Sequence, residues 1–385
     1  MRILTICHEY PPIGGGGATA SEILAERLAG NGHQVDILTA GMRGVARHEF
    51  RRGVTIHRAP SWRRRRHYST TIELATWIVP ALRIGAMLAR QHDYDLIHCH
   101  FIVPGGVVAA ILARRFKLPL VLTAHGSDVP GYNPDRFGGT HRLIAHAWSR
   151  ILASSAALTV PSAHLAGLLA TATERPITII PNPFEPLLDE PIETRADQIL
   201  VATRLVERKG VQTLLAALDG LTTGYEVVVA GDGPYLEPLR TMARDRGVST
   251  RFLGFVSRAE LARHYATARI FAFPSAQENF PMVLLEAMAH GCAVVTTNAP
   301  GCAEVVGDAA LTVPSGDVPA LRGAIAKLTA DPELAAELGR RGIERVHRFA
   351  STRIAAEYER LFATVGAETA RTNLQRGRWG AWSEI

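Results

Sequence analysis

Short apolar runs alternate along the chain with longer segments in which apolar positions recur every three or four residues. The runs predict strands near Arg2–Cys7, Val35–Thr39, Val54–Arg58, Leu96–His98, Leu120–Thr123, Ala157–Val160 and Thr178–Ile180. A second series covers Gln198–Ala202, Glu226–Ala230, Arg251–Leu253, Ile270–Phe273, Ala293–Thr296 and Leu311–Val313. Helical periodicity fills the gaps, as at Ala18–Ala29, and Ser351–Thr364 is amphipathic near the end. Strands that are apolar throughout and separated by helices are buried on both faces, which is the signature of parallel, doubly wound α/β sheets. Between the two series, residues through Ala196 are rich in proline and acidic groups and read as a linker. The boundary is expected at residues 185/186.

Length agrees with that division, because 385 residues exceed what one ordinary core of roughly 150–200 residues takes up. A hydrophobic fraction of 47% with 20% charged residues indicates a globular chain. Cys7, Cys99, Cys292 and Cys302 form no C-x-x-C pair and no metal spacing with histidine, so a reducing cytoplasm is the simplest compartment. No signal peptide is expected, since Met1–Cys7 runs straight into a Pro/Gly loop. The stretch from Thr70 to Gln91 is apolar but carries Glu73, Pro80, Arg83 and Arg90, which reads as too interrupted to span a bilayer.

Charge is uneven. Residues 1–185 hold 20 Lys+Arg against 12 Asp+Glu, leaving 22 against 24 for the remainder. Much of the excess is the run Arg63, Arg64, Arg65, Arg66, flanked by Trp62 and Tyr68 and followed by an amphipathic helix. Such a run suits an anionic membrane surface, with a solvated loop as the bland alternative. Nucleic acid is not expected, because no nucleic-acid motif accompanies the charge.

In parallel sheets, ligands collect at the carboxyl ends of the strands. That rule singles out the residues from Cys7 to Tyr10, the His98–His100 turn, the loop from His125 to Asp128, and Ser162. The first strand enters a loop ending in Gly14, Gly15, Gly16 and Gly17 before a helix, a geometry that brings backbone amides against an anion. It is neither G-x-G-x-x-G nor a Walker loop, and a flexible turn explains it equally well. His98 and His100 are expected to point to opposite sides of their strand, one under the site and one bordering it, with no third ligand to make a zinc site. In the second half, Arg204 and Lys209 follow a strand, and lysine is scarce: Lys117, Lys209 and Lys327 are the only three. A compact ammonium there points to a chemical need, with a surface turn as the bland alternative.

The densest signal is Glu278, Asn279, Phe280, Pro281, Met282, Val283, Leu284, Leu285, Glu286. Pro281 fits the first turn of a helix. The following residues are apolar almost all round, so Glu286 is a carboxylate in a buried helix and needs a partner. Two carboxylates near a helix N-terminus suit a polyhydroxyl ligand carrying a phosphate, while dipole complementation and backbone bonding are the neutral explanation.

The E-x7-E spacing followed by Ala287, Met288, Ala289 and Gly291 resembles the signature of glycosyltransferase family 4, the group 1 retaining transferases of GT-B fold. The resemblance runs through nearly the whole chain. It implies two Rossmann-like domains facing across a cleft, residues 1–185 on the acceptor side and 186–350 binding the nucleotide sugar, with a terminal helix in 351–385 returning to the first domain. It implies that Glu278 contacts the donor sugar, Glu286 the ribose, and Arg204 and Lys209 the leaving diphosphate, with His125 beside the sugar. Gly15 and Gly16 match the loop approaching the donor diphosphate. Gly231 and Phe255 match loops near the nucleotide. Asn279, Phe280, Pro281, Met282 and Val283 stand where many members read Gly-Phe-Gly, so Pro281 removes one phosphate-binding N–H and donor contacts there are rearranged. Tyr10, Gly17, His100 and Ser162 are placed on the acceptor side.

The implied reaction is retaining transfer of a sugar from a nucleotide-diphosphate sugar to a hydroxyl acceptor, lipid-linked or a cell-envelope glycan, in the cytoplasm or peripherally at the membrane. No metal and no cofactor is expected, the cationic side chains replacing the metal. A nucleotide-sugar 2-epimerase of the same fold is the nearest alternative. An NAD-dependent oxidoreductase is disfavoured by the missing G-x-G-x-x-G, and a noncatalytic polyanion binder by the paired motifs.

Overall fold

The structure, a computed structural model, describes residues 1–66, 69–132, 145–186 and 195–380, without the side chains of 370 and 372–380. Tyr68, the linker residues 187–194 and the tail tryptophans Trp379 (its side chain) and Trp382 lie outside what is described. The chain divides into unit 1, residues 1–183 with 351–385, and unit 2, residues 184–350.

Unit 1 is built on strands β1 (Arg2–Cys7), β2 (Gln34–Ala40), β3 (His48–Arg51), β4 (Val54–Ala59), β5 (Leu96–His100), β6 (Leu120–Thr123), β7 (Ala157–Val160) and β8 (Ile177–Ile179). Their order in the sheet is β3-β4-β2-β1-β5-β6-β7-β8. All pairs are parallel except β3 with β4. β3 is the strand missed by the sequence reading: His48–Arg51 is polar and half exposed at an edge, so it carries no apolar run. Helices α1 (Gly16–Gly30), α2 (Thr71–Gln91), α3 (Gly105–Phe116), α4 (residues 145–154) and α5 (Ala163–Ala170) complete the unit, with α13 (Ser351–Gly380). α13 seats Ile354, Tyr358 and Phe362 in one core with Ile3, Leu24 and Ile37.

α2 is one continuous helix despite Pro80, and its N-terminus is closed by a Thr70–Glu73 capping box. By length and composition alone it is apolar enough to pass for a membrane span. Its Trp77, Ala81, Gly85 and Leu88 are buried in the unit 1 core.

Unit 2 repeats the plan with β9 (Ala196–Ala202), β10 (Glu226–Ala230), β11 (Thr250–Gly254), β12 (Ala268–Phe273), β13 (Ala293–Thr297) and β14 (Ala310–Val313), ordered β11-β10-β9-β12-β13-β14 and parallel throughout. Its helices are α6 (Val211–Leu218), α7 (Leu236–Asp245), α8 (Arg258–Thr267), α9 (Met282–Ala289), α10 (Pro300–Val306), α11 (Val318–Ala330) and α12 (Pro332–Val346). Pro281 stands just outside α9, as its N-cap, rather than in its first turn.

Candidate active site

In unit 1 the candidate residues gather where β1, β5 and β6 end. His100 Nδ1 and His125 Nε2 lie 2.9 Å apart. Asp128 fixes the loop that carries His125: its Oδ1 accepts from the N–H groups of His125 and Gly126, and its Oδ2 from Ile102. Burial pushes the Asp128 carboxyl up, and the same N–H bonds oppose that shift. Phe101 adopts a left-handed backbone with φ of 70° and sets its ring against both His8 and His125. A Cβ at Gly17 would come within 2.7 Å of the Phe101 ring and 3.4 Å of His125, so only glycine lets α1 approach this cluster. At Gly15, the N-cap of α1, a Cβ would meet nothing within 4 Å, and Gly15 and Gly16 are exposed.

All four histidines here are held neutral at ordinary pH. Burial lowers His98 to about 3 and His8 to about 4. It depresses His100 strongly, with His98 adding to the shift, and it depresses His125, with His8 adding.

Several expectations are corrected. His98 and His100 share a face, their rings 4.3 Å apart, because residues two apart in a strand point the same way. His98 bonds Thr123 and packs on Tyr358 and Phe362 of α13. His100 is buried beneath His125 rather than bordering an acceptor. Tyr10 is a fully buried core residue. Ser162 is buried too, and its hydroxyl caps α5 by accepting from Leu165 N–H. Arg63 does not belong to an exposed basic run: its guanidinium is buried on Glu9 and on the carbonyls of Arg65 and Arg66. Arg64, Arg65 and Arg66 are exposed.

In unit 2 the ends of β9 and β12 place Lys209 and Glu278 in contact, Nζ on Oε1. Ser275, fully buried, donates to the same oxygen at 2.7 Å. Lys209 also sits over the Phe273 ring, 5.5 Å from its centroid. Gly210 makes this meeting possible: its φ is 72°, and a Cβ there would lie 2.0 Å from the Pro274 carbonyl. Ala276 N–H closes the contact by donating to the Arg208 carbonyl. Arg204 is exposed on the loop after β9. The neighbouring Gly231 has a φ of 144°, and its Cβ would meet the Thr203 carbonyl at 1.8 Å. Gly231 N–H in turn donates to the Gly254 carbonyl, beside the exposed Phe255.

Asn279 is buried, and a Cβ at Gly301 would strike its carbonyl at 2.3 Å, so α10 backs this loop closely. Phe280 packs edge-on against Phe349. Pro281 and Met282 are buried and Val283 half-buried at the start of α9. Glu286 lies one turn further along. Tyr265 donates its hydroxyl to Oε2 at 3.1 Å, and Arg258 lies 3.7 Å from Oε1. Burial raises the Glu286 carboxyl, and Arg258 and Tyr265 partly counter the shift. These groups line a small pocket with Phe184, Ala262 and His290.

Phe101, Tyr265, Arg258 and Ser275 were not singled out from sequence. Only Ser275 carried a signal, a hydroxyl three residues before the key carboxylate. Among the described residues no cluster of three or more His, Cys, Asp or Glu could hold a metal ion.

Two family models match the chain. One described as Glycosyltransferase Family 4 covers residues 14–186, and one described as Glycosyl transferases group 1 covers 189–345. TuaC of Bacillus subtilis, a glycosyltransferase named for teichuronic acid biosynthesis, is 30% identical over 68% of this chain and 67% of its own. Sucrose-phosphate synthase of Thermosynechococcus elongatus superposes with a TM-score of 0.80 at 24% identity, covering 95% of this chain and 99% of that one. Anabaena HepE, solved with UDP-glucose, gives 0.75 at 18% identity over 94% and 100%. The two solved proteins share this chain's fold.

Proposed function

The chain belongs to the group 1 glycosyltransferases of family 4, with GT-B fold, and from that premise we propose that it moves a glycosyl residue from a nucleoside-diphosphate sugar to a hydroxyl acceptor with retention and without a metal. The carrying observation is the Lys209–Glu278–Ser275 cluster. Both contacts fall on Oε1, so neither takes up Glu278 Oε2, which we assign to hydroxyls of the donor sugar. An ammonium has three N–H donors and one is spent on Glu278, leaving donors for a phosphate oxygen. Lys209 therefore offsets the repulsion that a carboxylate would otherwise exert on a nearby diphosphate.

As the glycosidic bond breaks, negative charge grows on the leaving diphosphate. Lys209, Arg204 and the first N–H groups of α9 stabilise it as fixed positive charges and dipoles, the role a metal plays elsewhere. Glu286, held by Tyr265 and Arg258, takes the ribose. The Gly231 and Phe255 loops take the base side. In unit 1, neutral His125 offers a hydrogen bond to a sugar hydroxyl, and the exposed backbone at Gly15 and Gly16 offers amides to an anion.

No carboxylate is assigned as a nucleophile. The acceptor hydroxyl attacks on the face the diphosphate leaves, and the departing phosphate oxygen takes its proton. The teichuronic acid relative supports a cell-envelope acceptor. Four cysteines, all free and buried, fit a reducing cytoplasm.

Calorimetry with UDP, GDP and ADP, followed by NMR of the product's anomeric proton, tests the reading. One nucleotide should bind and the product should keep the donor's configuration. An inverted product would remove the retaining mechanism, and no binding of any of the three would remove the function.

A further inference from the structure

We propose that the outer face of α2, with the segment leading into it, is a docking surface for an anionic lipid bilayer. This surface is built from unit 1 residues alone and uses none of the donor-site side chains.

While Trp77, Ala81, Gly85 and Leu88 turn inward, Ile72 is 71% exposed, Val79 54% and Met87 44%. At 3.6 residues per turn these three fall along one stripe with Arg83 and Arg90, which are also exposed. Scattered exposed aliphatics are normal, but a row of them is not. Trp62, 72% exposed, joins the row at the helix N-terminus. It is held there because its N–H donates to Thr76 Oγ1 at 3.1 Å and the N–H of Arg64 donates to Glu73 Oε1 at 3.2 Å.

The exposed charge of this segment has one sign. Glu73 is the only carboxylate between Pro60 and Asp93, and it is spent inside the protein. Its Oε2 accepts from the Thr70 N–H and hydroxyl, and these bonds, the Thr70 N–H first, hold its pKa below the usual range. Exposed Arg64, Arg65, Arg66, Arg83 and Arg90 therefore face solvent with no opposing carboxylate from the same segment.

A nucleic acid would satisfy the arginines and leave Ile72 and Val79 in water. A bilayer interface takes both: aliphatic tips in the acyl boundary, the indole at headgroup level and guanidiniums on anionic headgroups. The helix lies on the membrane rather than crossing it. Its inner stripe belongs to the core, and a Cβ at Gly85 would already stand 2.5 Å from Leu112. The same segment is tied to the candidate site, since the Arg66 carbonyl accepts from Gly14 N–H at 2.8 Å and buried Arg63 binds Glu9. Docking thus sets the glycine loop beside the membrane, the position needed for an acceptor carried in lipid.

The test is flotation of the full chain with phosphatidylcholine vesicles, plain or with phosphatidylglycerol, alongside nucleoside-diphosphate calorimetry. The wild type should float only with the anionic vesicles, and less as salt rises. The triple variant Ile72→Gln, Val79→Gln, Met87→Gln, unchanged in charge, should bind at least ~10-fold more weakly, and Arg64→Gln with Arg65→Gln about fivefold more weakly per arginine. Nucleotide affinity should be unaffected in both variants. Equal binding to neutral vesicles, no binding to anionic ones, or undiminished binding of the triple variant would overturn the proposal. In that last case, displacement from the vesicles by a polynucleotide would reassign the face to nucleic acid. Should the triple variant lose nucleotide binding through misfolding, the arginine pair decides alone. Vesicle binding by a wild type that binds no nucleotide would leave docking standing and remove the proposed function.

Discussion

His100 Nδ1 stands 2.9 Å from His125 Nε2, the two rings stacked at 5.2 Å, while His100 Nε2 is buried and has no hydrogen-bond partner among the described residues. A buried N–H without an acceptor is costly, so the unpartnered nitrogen is the bare one and His100 carries its proton on Nδ1. It therefore donates to His125, whose own proton is left on Nδ1. His100 thus positions His125 and sets its tautomer.

His100→Leu should lower kcat by about tenfold while leaving donor KM nearly unchanged, because His125 would keep its place but lose its fixed orientation. His100→Asn, which keeps a short donor, should recover part of the loss. Steady-state kinetics of the two variants check this. Unchanged kcat in both, or matched losses of kcat and nucleotide affinity, would show that His100 only fills space.

The two glutamates should fail in different ways. Glu278→Gln removes the charge bridging Lys209 and the sugar, and kcat should fall ~10²-fold while nucleoside diphosphate still binds. Ser275→Ala should follow it with a smaller loss. Glu286→Gln and Tyr265→Phe should instead raise donor KM with less effect on kcat, since they hold a part of the donor remote from the reacting bond. Calorimetry beside kinetics separates the cases. Normal turnover in Glu278→Gln, or equal loss of nucleotide affinity in all four, would mean the roles are assigned wrongly.

Acid should destabilise the fold through its buried histidines. His98 and His8 are lowered to about 3 and about 4, against an ordinary value of 6.5. The unfolded chain therefore binds protons that the folded one refuses. Their stabilisation is complete above pH 6.5 and is lost as pH falls toward the folded values, by about 1.4 kcal/mol per pH unit for each histidine. Glu286 and Asp128, with raised carboxyls, work in the opposite direction at acid pH. Denaturant melts between pH 7 and 5.5 should show falling stability, with a shallower slope in His98→Phe. A slope unchanged in that variant would rule out His98 as a contributor.

Turnover should survive EDTA, because Lys209 and Arg204 are assigned the charge that a metal would otherwise neutralise. Activity abolished by chelator and restored by magnesium or manganese would refute that assignment.

The hydrophobic pattern determined the alternation of strands and helices and two parallel sheets, because a buried parallel strand must be apolar along its whole length whatever it packs against. It missed His48–Arg51, whose pairing at the sheet edge is made by backbone and leaves no mark on side chains. The spacing from Glu278 to Glu286 was equally legible, since a motif within one loop and helix keeps its geometry wherever the element docks. Tertiary structure alone decided what each side chain meets. Arg63 looks like its three neighbours in sequence, but the fold turns it onto Glu9, 54 positions earlier. Lys209 and Glu278, 69 positions apart, are brought together because glycine at 210 lets one backbone pass against another. Tyr10 and Ser162 sit at strand ends and proved to be core and cap. Local sequence fixes φ, ψ and amphipathic period within a few residues, whereas partners across such separations are chosen by the packing of the whole sheet, which no short stretch encodes.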